Sequence, residues 1–194
     1  QVTSVGIYME GIELVANGSS SILNIGPSAG TVAAHRFKNS RLTVLHAGAG
    51  APTIGSSGLK VILENTPLKF AAVGQSVHAY LGELIWKDTP SGIQGTVPTN
   101  LFDALGSARG VLDVRGVDLS AAGTGKILVA ADTFAGLLRF ANCKLGASVT
   151  LAGAAQNPTY RAEFINCDSG DTNYRNEVYA YEGTLTTETA IVRT

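Results

Sequence analysis

Apolar and polar residues alternate along this chain in short runs that end at a Gly, Asn or Asp. The recurring pattern is a large apolar residue, any residue, then Gly, Asn or Asp, followed after two further residues by Leu or Ser. Seven copies stand 23–28 residues apart, with their Gly, Asn or Asp at Gly11, Asn39, Asn65, Asp88, Gly116, Asn142 and Asn166. Self-similarity at such a period is the sequence signature of a stacked repeat.

The residues beside these positions predict strands with one buried face. Two residues earlier in each copy stands a large apolar residue: Met9, Phe37, Leu63, Trp86, Val114, Phe140 and Phe164. The residue in between is mostly charged, so inward and outward positions alternate with the period of two that a half-buried strand has. The predicted stacked core is Phe37, Leu63, Trp86, Val114, Phe140 and Phe164, with Cys143 and Cys167 beside it.

The Gly, Asn or Asp of each copy is predicted to bend the strand. These residues adopt the left-handed backbone region most readily, Gly because it lacks a Cβ and Asn and Asp through local hydrogen bonds. The next position holds small or medium side chains, as expected where a corner crowds the interior: Ile12, Ser40, Thr66, Thr89, Val117, Cys143 and Cys167.

A strand that bends once per repeat cannot close a core alone, so the copies are expected to stack as coils. The pattern resembles the right-handed parallel β-helix of pectate lyases and phage tailspikes over roughly residues 5–170. We therefore predict an all-β fold, a single-stranded right-handed parallel β-helix of about seven coils in residues 1–170. A β-sandwich is the alternative.

The repeat ends after Asp168, and residues 171–194 are rich in Tyr and Thr. We expect this segment to cap the last coil or to link it to a further β domain, because an open strand edge invites aggregation. The stretches "INCDSGDTNYR" and "TTETAIVRT" resemble uncharacterised phage virion structural proteins. That resemblance, and a first residue that is Gln, lead us to expect a processed chain or a piece of a longer one.

Composition narrows the classes of function. The formal net charge is −1 and 15% of residues are charged, so we expect no nucleic-acid partner. No apolar stretch approaches the ~18 residues of a membrane-spanning helix, so we expect no membrane insertion. The Gly-rich stretches "GSSG" and "GTGK" lack the spacing of a phosphate-binding loop, and we expect no cofactor.

Cys143 and Cys167 are the two cysteines, at equivalent positions of successive copies. Stacking would place their Cα atoms ~4.8 Å apart, within disulfide range, but their Cβ atoms somewhat beyond the preferred ~3.8 Å. Buried free thiols are therefore favoured over a disulfide. Zinc would need two further ligands at suitable spacing, and we expect no metal site.

Three charged residues form the candidate catalytic set of the alternative function. Asp113 and Glu163 occupy the same outward column two coils apart, ~10 Å between Cα atoms, a separation compatible with an inverting glycosidase. Arg139 lies between them in that column, which favours a structural ion ladder. Among the other polar candidates we expect His35 to be a hydrogen-bonded core residue, His46 and His78 to lie in loops, and Asp168 and Asp171 to lie in a solvated turn.

Three apolar residues at outward positions, Ile62, Ile85 and Ile165, mark a candidate interface. An exposed apolar stripe suggests packing against another subunit or domain. An equally favoured alternative is that a long loop, such as residues 91–110, covers these three residues.

The preferred function is a non-enzymatic phage virion structural protein: a capsid decoration, spike or fibre component on the particle surface or tail. Its partners would be other virion proteins and further copies of itself, and the tailspike resemblance implies a trimer. The alternative is a tailspike-like protein that binds or cleaves a surface polysaccharide through the outward face of the β-helix.

Overall fold

The computed structural model describes residues 6–16, 24–25, 33–45, 53–54, 59–79, 82–104, 110–131, 136–152, 161–168 and 181–182. Within these residues all regular structure is β-strand. The strands are β1 (Tyr8–Glu10), β2 (Glu13–Ala16), β3 (Asn24–Ile25), β4 (Ala33–Lys38), β5 (Arg41–Val44), β6 (Thr53–Ile54), β7 (Leu59–Glu64), β8 (Leu68–Phe70), β9 (Val77–Ala79), β10 (Glu83–Thr89), β11 (Ile93–Gly95), β12 (Asn100–Ala104), β13 (Val111–Leu119), β14 (Ile127–Ala131), β15 (Leu137–Ala141), β16 (Lys144–Leu145), β17 (Thr150–Ala152), β18 (Arg161–Ile165) and β19 (Tyr181–Glu182).

The strands form three parallel sheets that the chain visits in turn. The long sheet stacks β1, β4, β7, β10, β13, β15 and β18, the second sheet stacks β2, β5, β8 and β11, and the third stacks β3, β6, β9, β12, β14 and β17. At the last strand of the long sheet, β19 pairs antiparallel with β18. Each strand lies beside the equivalent strand of the next turn, so the prediction of an all-β parallel β-helix is confirmed.

The predicted number of coils is wrong. All three sheets contribute a separate strand in the first four turns, and the solenoid has about four full turns. In the next turn β13 runs unbroken through Gly116, and its second half pairs with the two-residue strand β16. The repeated pattern marks only the first corner of each turn, so its seven copies count strands of the long sheet and not closed turns.

The core lies between the three sheets and consists of stacked side chains. The predicted column of Phe37, Leu63, Trp86, Val114, Phe140 and Phe164 is 0–5% exposed. Phe140 and Phe164 stack with ring centroids 5.2 Å apart and planes 2° apart, and Trp86 meets Phe102 of the third sheet edge-on at 5.9 Å. Identical spacing of successive turns lets like side chains stack, and this burial is the main stabilising term of the fold.

Candidate functional site

The corner between the long and second sheets contains the seven bend positions. All seven have positive φ, from 44° at Asn65 to 67° at Gly11. The backbone N–H of the bend residue still donates to the neighbouring turn, as Asn39 does to the carbonyl of Glu64 at 3.0 Å and Asn142 to that of Ile165 at 2.9 Å. The sheet hydrogen bonding therefore continues through the corner.

The side chains of the bend residues form two short ladders on the outside of this corner. The Asn65 amide donates to the Asn39 side-chain oxygen at 2.9 Å, and Asn39 in turn donates to the Glu10 carboxylate at 2.8 Å. Asn166 donates to the Asn142 side-chain oxygen at 2.8 Å. These exposed bonds account for the preference for Asn at several bends.

Inside the corner, hydroxyl and thiol groups make the same contacts with the backbone. The hydroxyls of Ser40, Thr66 and Thr89 each donate to the carbonyl two residues earlier, at 2.8–2.9 Å. The sulfurs of Cys143 and Cys167 lie 3.4 and 3.6 Å from the corresponding carbonyl oxygens. The cysteines thus take the place of Ser or Thr, a relation that the residue types in this column could have indicated.

Both cysteines are free thiols, 2% and 1% exposed. A hydrogen bond with Cys167, together with burial, raises the pKa of the Cys143 thiol above its ordinary value. Cys143 is therefore a poor nucleophile and a poor metal ligand, and both sulfurs lie within the hydrophobic core cluster. The pair therefore belongs to the core.

The candidate catalytic residues lie together on the outer surface of the long sheet, in the order Asp113, Arg139, Glu163 across neighbouring strands. The Nε of Arg139 donates to the Glu163 carboxylate at 2.7 Å, and its Nη1 lies 3.6 Å from the Asp113 carboxylate. Arg115, on the same strand as Asp113, also donates to that carboxylate, with its Nε at 2.7 Å. Two carboxylates and two guanidinium groups therefore form one paired cluster.

Burial of this cluster differs from the expectation of an outward, solvent-facing column. Asp113 is 2% exposed and Glu163 4% exposed, whereas the side chain of Arg139 is 30% exposed. Alternation along a strand assigns a residue to one face of the sheet but does not say whether that face is covered. The outward assignment therefore does not make these carboxylates accessible from solvent.

A second charged group surrounds Glu64, whose side chain is 15% exposed. Arg36, Lys38 and Lys87 contact its carboxylate from the strands on either side, with the lysine nitrogens at 3.8 and 3.2 Å. The hydrogen bond from Arg36 lowers the pKa of Glu64 below its ordinary value. The sequence indicates charge pairing in this column, but not that one carboxylate receives three cations.

The predicted interface residues do not form one continuous stripe. Ile62 and Ile85 are neighbours across β7 and β10, and both are half-buried. Ile165 is also half-buried but lies in the adjacent column, beside Ala141 on β15. The structure therefore brings two of the three together.

The remaining sequence candidates do not assemble into a site. His35 is 6% exposed and accepts a hydrogen bond from the Ile7 backbone at 3.1 Å, and burial lowers its pKa. His46 and Asp171 lie outside the described residues. The expectation of a loop at His78 is wrong, since His78 lies in strand β9 and pairs with neighbouring strands, although its side chain is not among those described. Asp168 is exposed and its backbone bridges Lys144 of the preceding turn.

A small polar pocket of about 70 Å³ lies in the third and fourth turns. It is lined by Val73, Gly74, Gln75, Ser76, Thr99, Asn100 and Asp103. Gln75 accepts hydrogen bonds from the backbone of Ala71 and Ala72, and Ser76 donates to Asp103. These polar groups hold the corner loop together.

Within the described ranges no three Asp, Glu, His or Cys residues are placed to hold a metal ion. The same part of the chain contains no helix with the length and apolarity to cross a membrane. Comparison with protein-family models, with curated proteins and with solved structures gave no match to this chain.

Proposed function

We propose that this chain is a non-enzymatic structural module of a phage particle, a capsid decoration, spike or fibre component. A parallel solenoid is a stiff element, since its first four turns are bonded to one another along all three sheets. Such an element suits a protein that holds other components at fixed distances. The resemblance of residues near the C-terminus to phage virion structural proteins supports the location on a particle.

The pairing of Asp113 and Glu163 with Arg139 carries the non-enzymatic part of this proposal. The Asp113 and Glu163 residues are only 2% and 4% exposed, which leaves little carboxylate surface for a glycan to contact. Their distances to Arg139 are those of an ion pair that bonds three neighbouring strands together. Cross-strand pairs of opposite charge stabilise a sheet by ~0.2–1 kcal/mol each, which is a structural role.

One observation favours the polysaccharide-cleaving alternative. Asp113 and Glu163 lie on the same face of the long sheet with one strand between them. Their Cα atoms are therefore ~9.6 Å apart, and their carboxylates come closer because both contact the Arg139 guanidinium. Inverting glycosidases hold their two carboxyl groups ~6.5–9.5 Å apart. An experiment on Asp113 and Glu163 therefore distinguishes the structural function from the polysaccharide-cleaving one.

The test is incubation of the protein with the surface polysaccharide of the phage host, followed by mass spectrometry for new chain ends. We expect no cleavage, and we expect Asp113→Asn and Glu163→Gln variants to behave as the parent protein does. Cleavage that either substitution abolishes would overturn the structural proposal. Electron microscopy with a gold-labelled antibody is expected to place the chain on the particle surface or tail.

Self-association is part of the same proposal, with a trimer implied by the tailspike resemblance. Light scattering after size-exclusion chromatography is expected to give three times the 20.0 kDa of one chain. Ile62→Glu and Ile85→Glu would then favour the monomer, because a charge in an apolar contact is costly to bury. If neither substitution changes the oligomeric state, the interface does not include Ile62 and Ile85.

A further inference from the structure

Cys143 and Cys167 lie beside each other in neighbouring turns, and the backbone holds them in register. The N–H of Asn142 donates to the carbonyl of Ile165 at 2.9 Å, and the N–H of Asp168 donates to the carbonyl of Cys143 at 3.0 Å. Neighbouring strands of a sheet lie ~4.8 Å apart. The two Cα atoms are therefore within the ~4.4–6.8 Å that a disulfide spans.

The two sulfurs occupy equivalent places inside the corner. The sulfur of Cys143 lies 3.5 Å from the carbonyl oxygen of Val114, and that of Cys167 lies 3.4 Å from the carbonyl oxygen of Phe140, in each case one turn earlier. Both are free thiols, and they are hydrogen-bonded to each other. Each thiol therefore has the other as its neighbour in the stack.

The two thiols differ in acidity because one donates to the other. The hydrogen bond from Cys143 lowers the pKa of Cys167, and the same bond, together with burial, raises the pKa of Cys143. The thiolate is the form of cysteine that attacks an oxidant. Cys167 is therefore the thiol that reacts first, and Cys143 stands next to it as the resolving thiol of such a pair.

We propose that Cys143 and Cys167 are a site of oxidation by hydrogen peroxide, which closes them to a disulfide between neighbouring turns. Peroxide is close to water in size and reaches the buried sulfurs through local opening of the turn. The Cys167 thiolate attacks one peroxide oxygen, the O–O bond breaks, hydroxide leaves and Cys167 becomes a sulfenic acid. The Cys143 sulfur then attacks the Cys167 sulfur, and the displaced hydroxyl group leaves as water with the Cys143 proton. Two thiols are thereby oxidised to one disulfide, and one peroxide is reduced to two waters.

This disulfide is expected to be reversible. Side chains stacked in register hold their Cβ atoms near the ~4.8 Å strand spacing, beyond the ~3.8 Å that a disulfide prefers. Closure therefore draws the two turns together, and strained disulfides are the more easily reduced ones. The pair would fasten two turns covalently under oxidising conditions and release them in excess glutathione. This inference goes beyond the structural role proposed above, because it concerns the isolated protein and does not depend on its location.

The test treats the purified, folded protein with millimolar hydrogen peroxide and stops the reaction with catalase. Remaining thiols are alkylated with N-ethylmaleimide in guanidinium, and the protein is analysed by mass spectrometry. We expect loss of both thiols without added oxygen, and a peptide map that contains Cys143 linked to Cys167. Millimolar reduced glutathione should restore both thiols.

Single substitutions assign the two roles. Cys143→Ser removes the resolving thiol, so dimedone should trap the sulfenic acid on Cys167. Cys167→Ser removes the attacking thiol, and at least ~10-fold less dimedone adduct is expected on Cys143. Serine suits this corner, since Ser40 stands at the equivalent position of an earlier turn and its hydroxyl contacts the carbonyl two residues earlier. A thermal melt shows that each variant is folded, and the peptide map of the parent protein decides the proposal if either variant unfolds.

Three results would overturn the proposal. The first is that the folded protein keeps both thiols under a peroxide treatment that oxidises the chain unfolded in guanidinium. The second is that peroxide converts the thiols to sulfinic acid without a disulfide, or links two chains through their cysteines. The third is equal dimedone labelling of the two single variants, since neither thiol would then be the one that reacts first.

Discussion

The first and fourth turns of this solenoid share one sequence pattern but differ in environment. In both, a large apolar residue precedes a bend, Met9 before Gly11 and Trp86 before Asp88, and both bends have positive φ. Trp86 is fully buried, whereas Met9 is partly buried at the edge of the core. The pattern therefore describes the conformation of a turn, and the turns on either side decide how much that conformation contributes to stability.

The largest expected effect comes from truncating the apolar residue in each turn. Trp86→Ala should lower the free energy of unfolding by ~3–5 kcal/mol, since it leaves a cavity, and it also removes the hydrogen bond from the Trp86 indole to the Thr66 carbonyl. Met9→Ala should cost only ~1 kcal/mol, because Met9 is already partly in solvent. Chemical denaturation measures the free energy of unfolding of both variants. Equal losses would mean that the first turn is as well covered as the fourth.

The bend itself should be equally sensitive wherever it occurs. Asn142→Val should cost ~1–3 kcal/mol, because a β-branched side chain is strained at the φ of 53° found there. Gly11→Val should carry similar strain, since φ is 67° at this bend. No clash adds to that strain, because no atom lies within 4 Å of an added Cβ. Cys143→Ser and Cys143→Val are the controls and should cost less than Asn142→Val. A costlier Cys143 substitution would contradict the view that the bend matters more than the thiol.

A smaller difference is expected between the charged groups of the two regions. Glu64→Gln should cost ~1 kcal/mol, because three cations contact this carboxylate and it is largely shielded from solvent. Glu13→Gln at the exposed first turn should change stability less. Since the pKa of Glu64 is lowered in the folded state, its stabilising contribution is present above the ordinary carboxyl pKa and is lost as pH falls through the lowered value. Acid titration of thermal stability, with Glu64→Gln for comparison, measures this contribution.

The smallest effect concerns His35, at the boundary between the exposed and the buried turns. Burial lowers its pKa from 6.5, so the unfolded chain takes up a proton at a higher pH than the folded protein does. Stability should therefore decrease as pH falls below about 6.5. His35→Gln keeps a side-chain acceptor for the Ile7 backbone N–H and should remove this part of the pH dependence. If the His35→Gln variant retains the full pH dependence of stability, groups other than His35 are responsible for it.

The sequence predicted those parts of the site that depend on local geometry. The order Asp113, Arg139, Glu163 across three strands follows from the spacing of the repeats, and the register of the long sheet has that order. The shielding of Glu64 by three cations and the burial of Asp113 and Glu163 could not be predicted. Those features depend on how side chains from several turns cover one face of the sheet, and the spacing of residues along one strand carries no information about that cover.

By itself the sequence determined where the chain bends and which residues point inward, since a left-handed backbone favours Gly, Asn or Asp and a strand alternates with period two. Only the tertiary structure decided that about four turns are closed by all three sheets, that Glu10 and Glu13 in the first turn are exposed, and that Asp113 and Glu163 are buried. The physical reason is that bends and alternation are properties of one segment, whereas closure and burial depend on its neighbours in the stack.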